Sequence, residues 1–344
     1  MFNNFDKELN NILNEEKEIP FTVRQSLDKT YDSIRKQSKQ KKRKFNRNGI
    51  IAVVASACLV VGLTVSNDNV KAGIYEFFNF HDKGIERAVN EGFTQDSKSV
   101  ASDKNIKVML DHYFSDNNKI GLSFQMVFKD KSLLDKGVEE VSLNYRIING
   151  DGEYIDEFVS DKKKLHGTNK YISSIENKNG PIDLKAGTVQ YDAVLDSNEG
   201  TIPLLKNAVI EVESVIFNNG DGEFKVINGN WRLKLGEHTK AFSNIEYAMK
   251  NTSSKVQVTS AIANPTSLNI TFALDGVIEN ENLIGGRMHI TDENGEKYQP
   301  NAFSMKVKDN QTIISTNFPV SSYADANRLK LVVEEIGETD LVKK

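Results

Sequence analysis

The sequence predicts a mainly β protein: an ectodomain of two immunoglobulin-like antiparallel sandwiches, with one transmembrane helix and a short helical cytoplasmic N-terminal segment. Three observations lead there. Residues 49–65 carry no charge and follow a dense run of bases. Before that run, apolar side chains recur at spacings of three and four, the period of one helix face. After Lys104 the apolar period falls to two, that of a half-buried strand, in many short segments separated by Asn, Gly and Asp.

Residues 1–48 come first. Phe2, Phe5, Leu9, Ile12 and Leu13 share one helical face, and Ile19-Pro20 breaks that helix. A second helix follows, with Thr22 as its cap and Gln25 three residues on, as in a capping box. Val23, Leu27, Tyr31 and Ile34 form its apolar stripe, opposite Arg24, Gln25, Asp28, Lys29 and Asp32. Two helices this short cannot bury both stripes in a core of their own. Leu9, Ile12, Leu13, Val23, Leu27, Tyr31 and Ile34 are therefore expected to bind a partner, folding on it as helices in a groove. The plainer alternative is a solvated tail that only orients the anchor.

Residues 49–67 are expected to cross the bilayer. The uncharged stretch makes about 25 Å of helix against a hydrocarbon core of about 30 Å. Ser66, Asn67 and a snorkelling Arg47 make up the difference. Lys36, Lys39, Lys41, Lys42, Arg43, Lys44 and Arg47 precede the span, and no acid lies between Lys36 and Asn67. The nearest of these, Lys41, Lys42, Arg43, Lys44 and Arg47, flank the membrane and hold residues 1–48 in the cytoplasm, with 68–344 outside. The rival reading is a signal peptide cleaved after Ala72, since Val70-Lys71-Ala72 presents small residues a few positions past the apolar run. A length of 48 residues before the apolar run, with acids and internal pattern, argues for retention.

Charge divides the same way. Residues 1–48 hold 12 Lys+Arg against 7 Asp+Glu, and the remainder 32 against 41. An acidic exterior argues against direct nucleic-acid binding. The single cysteine, Cys58, lies in the apolar stretch, so the exterior depends on hydrophobic cores without disulfides.

Residues 68–104 read as a juxtamembrane linker with a helix near 84–90 and Gly92 as its stop. Tyr75, Phe77, Phe78 and Phe80 suit either an interfacial aromatic belt or a plug at the base of the first domain. The first sandwich is expected over 105–240. Its strands are centred on 106–110, 120–128, 141–147, 189–195, 209–217 and 231–235. The second is expected over 241–344, with strands at 256–262, 268–274, 288–290 and 329–333 and turns at 264–266 and 292–295.

Motifs for chemistry are sparse. Asn-Gly-Asp-Gly-Glu occurs at 149–153 and again at 219–223. It lacks the alternating acids of a calcium loop, and Asn-Gly and Asp-Gly are what tight hairpins require. His81, His112, His166, His238 and His289 are scattered without metal-ligand spacing. No Gly-x-Ser-x-Gly elbow or phosphate loop is present. The expectation is a protein that is not an enzyme and uses no cofactor or metal.

The layout resembles single-pass anti-sigma-factor-like membrane proteins of Gram-positive bacteria, which have an uncharacterised β-rich extracellular region. The residues that carry the resemblance are Asp82-Lys83-Gly84-Ile85-Glu86-Arg87-Ala88-Val89 and Glu91-Gly92-Phe93-Thr94-Gln95. Ile106-Lys107-Val108, Asp116-Asn117-Asn118-Lys119 and, in the tail, Ile19-Pro20 and Leu27-Asp28-Lys29-Thr30-Tyr31 add to it. The resemblance implies a cytoplasmic partner, an extracytoplasmic-function sigma factor of RNA polymerase. It also implies an exterior that answers to an extracellular ligand or protease. Many anti-sigma factors hold zinc through His-x-x-x-Cys-x-x-Cys, but this tail has neither His nor Cys and would grip by apolar faces alone. The alternative is a cell-surface binding or adhesion protein with tandem immunoglobulin-like domains and no regulatory tail.

Overall fold

The computed structural model describes residues 78, 80–134, 137–160, 163–220, 224–236, 241–250, 254–278 and 284–344. The predicted tail helices, with Leu9, Ile12, Leu13, Val23, Leu27, Tyr31 and Ile34, lie outside the described residues. So do the basic flank and the span at 49–67. Among the described residues, no helix is long and apolar enough to cross a membrane.

Among the described residues, one helix, α1 (Lys83–Asn90), precedes the strands. Asp82 caps it by accepting from the Ile85 N–H at 3.0 Å, and Gly92 ends it at a φ of +71°, which glycine adopts without strain. The first group of strands is β1 (Gln95–Asp103), β2 (Ile106–Ser115), β3 (Lys119–Phe128), β4 (Glu140–Ile148), β5 (Tyr154–Phe158), β6 (Ser174–Asp183), β7 (Thr188–Asp196), β8 (Val209–Asn218) and β9 (Phe224–Lys234). They form a five-stranded antiparallel sheet, β1-β2-β3-β7-β6, and a four-stranded one, β5-β4-β8-β9. Alternate residues of both sheets enter one core: Val108, Leu110, Leu122, Phe124 and Tyr191 from one, Leu143, Tyr145, Ile210, Val212 and Trp231 from the other. The Trp231 indole N–H donates to the Ile106 carbonyl at 2.9 Å, tying the two sheets inside the core.

The strand β1 lies upstream of the expected domain start at residue 105. Its burial alternates only between half-buried and exposed, so it offers no apolar signal to a reader of the sequence. Side chains stitch it to the edge of the facing sheet. The Lys234 N–H donates to Ser99 Oγ at 2.7 Å, Ser97 Oγ to the Lys234 carbonyl at 3.1 Å, and the Asn230 N–H to Asp103 Oδ2 at 2.9 Å. Residues 95–103 thus belong to the first sandwich rather than to a linker.

The second group is β10 (Ile245–Met249), β11 (Val256–Ala263), β12 (Leu268–Asp275), β13 (Met288–Asp292), β14 (Lys297–Tyr298), β15 (Phe303–Lys308), β16 (Gln311–Phe318), β17 (Arg328–Val333) and β18 (Gly337–Lys343). Its pairing runs β14-β13-β17-β18-β10-β11-β12-β16-β15. The strand β10 makes this continuous by changing sheets. Ile245 and Glu246 pair with Ala263 and Ile262 of β11, whereas Tyr247, Ala248 and Met249 pair with Lys343, Val342 and Leu341 of β18. A strand that switches sheets makes the corner of a two-layered arrangement. Phe272, Ile270 and Ile314 from one side meet Met288, Ile290, Leu331 and Leu341 from the other in a single core. The two cores belong to one compact unit.

Candidate functional site

The helix α1 is amphipathic, and both its faces are used. Ile85, Ala88 and Val89 pack with Phe78, Phe80 and Phe93 on Phe114 and Val194, which stand on the outer face of the five-stranded sheet. Phe114 folds over Gly121, where a Cβ would lie 2.1 Å from the ring, so only glycine lets the aromatic lie flat on the strand. Toward the second sandwich, Gly84 faces the Thr266 carbonyl, Arg87 Nη2 donates to the Tyr323 carbonyl at 3.3 Å, and Lys83 pairs with Glu296. Phe93 meets Phe242 edge to face, with ring centroids 5.8 Å apart. Of the two roles open to the aromatics after the predicted span, Phe78 and Phe80 take the buried one; Tyr75 and Phe77 lie outside the described residues.

Between the sandwiches lies a buried polar seam. The turn from β2 to β3 presents Asp116, whose Oδ1 accepts from the Asn118 and Lys119 N–H groups, each at 2.8 Å. Its Oδ2 reaches across to the turn between β11 and β12, accepting from the Thr266 N–H at 2.9 Å and Thr266 Oγ1 at 2.7 Å. Asn118 donates to the Ser267 carbonyl at 2.8 Å and accepts from Asn264 Nδ2 at 2.8 Å. Asn269 donates to the Asn198 carbonyl, and Asn317 to the Ser197 carbonyl and to Asp196 Oδ1. The sequence shows 264–266 as a plain turn and 116–118 only as the break between two strands. The structure stacks these turns on each other, and their polar side chains are the joint.

Lys119, at the start of β3, is 2 % exposed. Its ammonium pairs with Asp82, the cap of α1, and lies 3.4 Å from Asp196 Oδ2 at the end of β7. Burial works against the ammonium, but the Asp82 and Asp196 carboxylates outweigh it and raise the Lys119 pKa above the ordinary lysine value. Burial also pushes the Asp116 and Asp196 carboxyls up, against their hydrogen bonds and, for Asp196, against Lys119. One cation therefore holds together the helix and two strands.

A cavity of about 210 Å³ opens on this triad. Lys119, Asp82 and Asp196 form its floor. Phe80, Ile85, Ile175 and Val194 supply apolar wall. Ser174 and Glu176 of β6, with Asn301 and Ala302 of the second sandwich, complete it. The helix, the first sandwich and the second sandwich all contribute, so a molecule seated there would touch every part of the joint. The sequence gives no sign of this cavity, because its residues come from segments far apart in the chain. Of its lining, Asp82, Ile85 and Lys119 fall in the motifs that carry the resemblance, and Phe80 among the aromatics after the predicted span.

Other clusters are local. Arg146 Nε lies 2.5 Å from Glu157 Oε2, both buried, and Arg146 also pairs with Glu213. Burial would raise the Glu157 pKa, but the Gly167 and His166 N–H groups and Arg146 bring it below the usual value. This knot ties down the loop after β5. The first Asn-Gly-Asp-Gly-Glu joins β4 to β5 as a hairpin, the Gly152 N–H donating to the Asn149 carbonyl at 2.9 Å. The second joins β8 to β9, which pair antiparallel. His112 pairs with Asp96, and His166 with Glu157; His238 lies outside the described residues. Among the described residues, no group of three or more His, Cys, Asp or Glu has the arrangement to hold a metal ion.

No family model and no curated protein matches the sequence. Among solved structures, the chain is similar to the crystal structure of a conserved domain protein from Bacillus anthracis, at 12% identity and a TM-score of 0.45. The likeness covers 70% of this chain and 77% of that one.

Proposed function

We propose that the chain is a membrane-anchored anti-sigma factor. On this reading residues 1–48 sequester an extracytoplasmic-function sigma factor in the cytoplasm, residues 49–67 span the bilayer, and two immunoglobulin-like sandwiches outside sense the envelope. The observation that best supports it is the fate of the chain just after the predicted span. Phe78, Phe80 and Asp82 are buried, and α1 is wedged against both sandwiches. An inert anchor needs only a solvated linker. A helix clamped at a joint transmits any change in that joint to the segment that precedes it. A signal then requires two arrangements of the joint that differ in affinity for some ligand, or in susceptibility to a protease.

The test is capture of a sigma factor by the full-length chain. Leu27→Asp puts a carboxylate on the apolar stripe. Burying it unpaired costs several kcal/mol, about a thousand-fold in affinity. The wild-type chain is expected to co-purify with a sigma factor from its own cells and the variant to lose it. Equal recovery by both, or a mature protein that begins at Gly73, overturns the proposal.

A further inference from the structure

We propose that the cavity above Lys119 is a binding site for a small uncharged polyol, the size of one sugar ring. The inference rests on reading the β-rich part as the sensing half and names the class of molecule it would sense.

A ligand seated there must match the donors and acceptors of the lining. An ammonium has three N–H donors. Among the described residues, Lys119 meets two carboxylates, Asp82 and Asp196, and is one of the residues that line the cavity, which leaves one donor for a ligand. The carboxylates beside it have the opposite need. Asp82 Oδ2 accepts from Lys119, Asp196 Oδ2 lies 3.4 Å from its ammonium, both keep lone-pair capacity, and Glu176 stands exposed at the rim. The floor therefore asks its ligand to accept from Lys119 and to donate to carboxylates within a few ångströms.

Only some groups do both. A ligand carboxylate or phosphate accepts but cannot donate, and it meets three carboxylates with one lysine to offset them. An ammonium donates but cannot accept, and it would face the Lys119 ammonium directly. A hydroxyl has one donor and two acceptor sites, so adjacent hydroxyls satisfy floor and rim together. Ser174 and Asn301 at the rim also donate and accept. The wall is apolar, with Phe80, Ile175 and Val194, and suits the C–H face of a ring. The volume admits one ring, and a ring seated there would touch α1, the first sandwich and Ala302 of the second.

The experiment uses the full-length chain in a detergent without a sugar headgroup. Glucose, glucuronate and glucosamine, which share a ring and differ in charge, are compared by saturation-transfer difference NMR. Glucose is expected to bind with an affinity on the order of 1 mM, and glucuronate about ten-fold more weakly or not at all. Ala302→Phe fills the cavity from its partly exposed wall and is expected to abolish binding without lowering the melting temperature. Should that variant fold poorly, Ser174→Trp blocks the rim instead. No saturable glucose signal, equal binding of glucuronate, a preference for glucosamine, or glucose binding that survives a folded cavity-filling variant each overturns the proposal. Sigma-factor capture by Ala302→Phe is read in parallel. If capture persists while wild-type glucose binding is absent, the polyol site fails and the regulatory reading stands.

Discussion

Gly84 of α1 lies directly against the backbone carbonyl of Thr266 in the second sandwich: a Cβ at Gly84 would sit 2.0 Å from that oxygen. The partner is backbone in a tight turn, held on its other side by Asp116, so it cannot swing aside. The pair sets how closely the helix approaches the turn. A one-carbon addition is the smallest lever that acts on the joint without touching either core.

Gly84→Ala is therefore expected to lift α1 from the second sandwich. Helix propensity alone would favour alanine by about 1 kcal/mol. The overlap with backbone is expected to reverse the sign, giving a net loss of about 1–3 kcal/mol. Urea unfolding followed by Trp231 fluorescence, which reports the first sandwich, and by far-UV circular dichroism, which reports both, reads the result. The wild type is expected to show coincident transitions and the variant transitions that separate. An alanine variant that is more stable than wild type, with its transitions still coincident, would show the contact to be unimportant.

Lys119 is the only cation in the buried triad with Asp82 and Asp196. Lys119→Met keeps the length of the side chain and removes the charge, leaving two buried carboxylates that repel each other. Breaking a buried pair from one side costs about 3–5 kcal/mol, because the remaining charge has no compensation. Adding Asp82→Asn and Asp196→Asn to the same chain is expected to recover much of the loss, since the uncompensated charge goes with them. Thermal melts at neutral pH measure both steps. A small loss in the single variant, or no recovery in the triple one, argues that the triad does not hold the helix.

The sandwiches were legible where apolar residues alternate on a strand with one buried face. Ile120, Leu122, Phe124, Met126 and Phe128 all point into the core, as their spacing requires. Two of the strands that escaped notice lack that contrast. The edge strand β6 contains Gly180 and Pro181 and buries no residue fully, and β15 alternates little because its outer half is exposed. The helix was legible over 84–90 with Gly92 as its stop, since a stop is a local signal, whereas its cap, Asp82, was not read. Its role was not. That Asp82 also meets Lys119, and that two unremarkable turns interlock through Asp116 and Thr266, follows from contacts between residues as far apart as Asp116 and Thr266, which no local period encodes. Asp82, Lys83 and Gly84 gather with Asp116, Asn118 and Lys119 at the joint, and no local pattern says why those types stand there.

Asp156 gives the first sandwich a dependence on pH. Burial raises its carboxyl from 3.8 to about 6, and the neighbouring Glu157 adds to the rise. Among the described residues, its Oδ2 and the hydroxyls of Tyr145 and Tyr191 meet no hydrogen-bond partner. The sign follows from proton binding. Between pH 4 and pH 6 the folded protein keeps a proton that the unfolded chain has released, so stability falls as pH rises through that window and stays lower above it. A difference of about two pH units corresponds to roughly 3 kcal/mol. Asp192, whose carboxyl burial pushes to about 7, adds a second loss of the same sign extending to neutral pH. Asp156→Asn cannot ionise, so its urea-unfolding free energy is expected to decline less between pH 4.5 and 7.5 than that of the wild type. The gap between the two proteins should open across pH 4–6 and stay constant above it. Parallel pH profiles for wild type and variant would mean that Asp156 is ionised in the folded protein at an ordinary pKa.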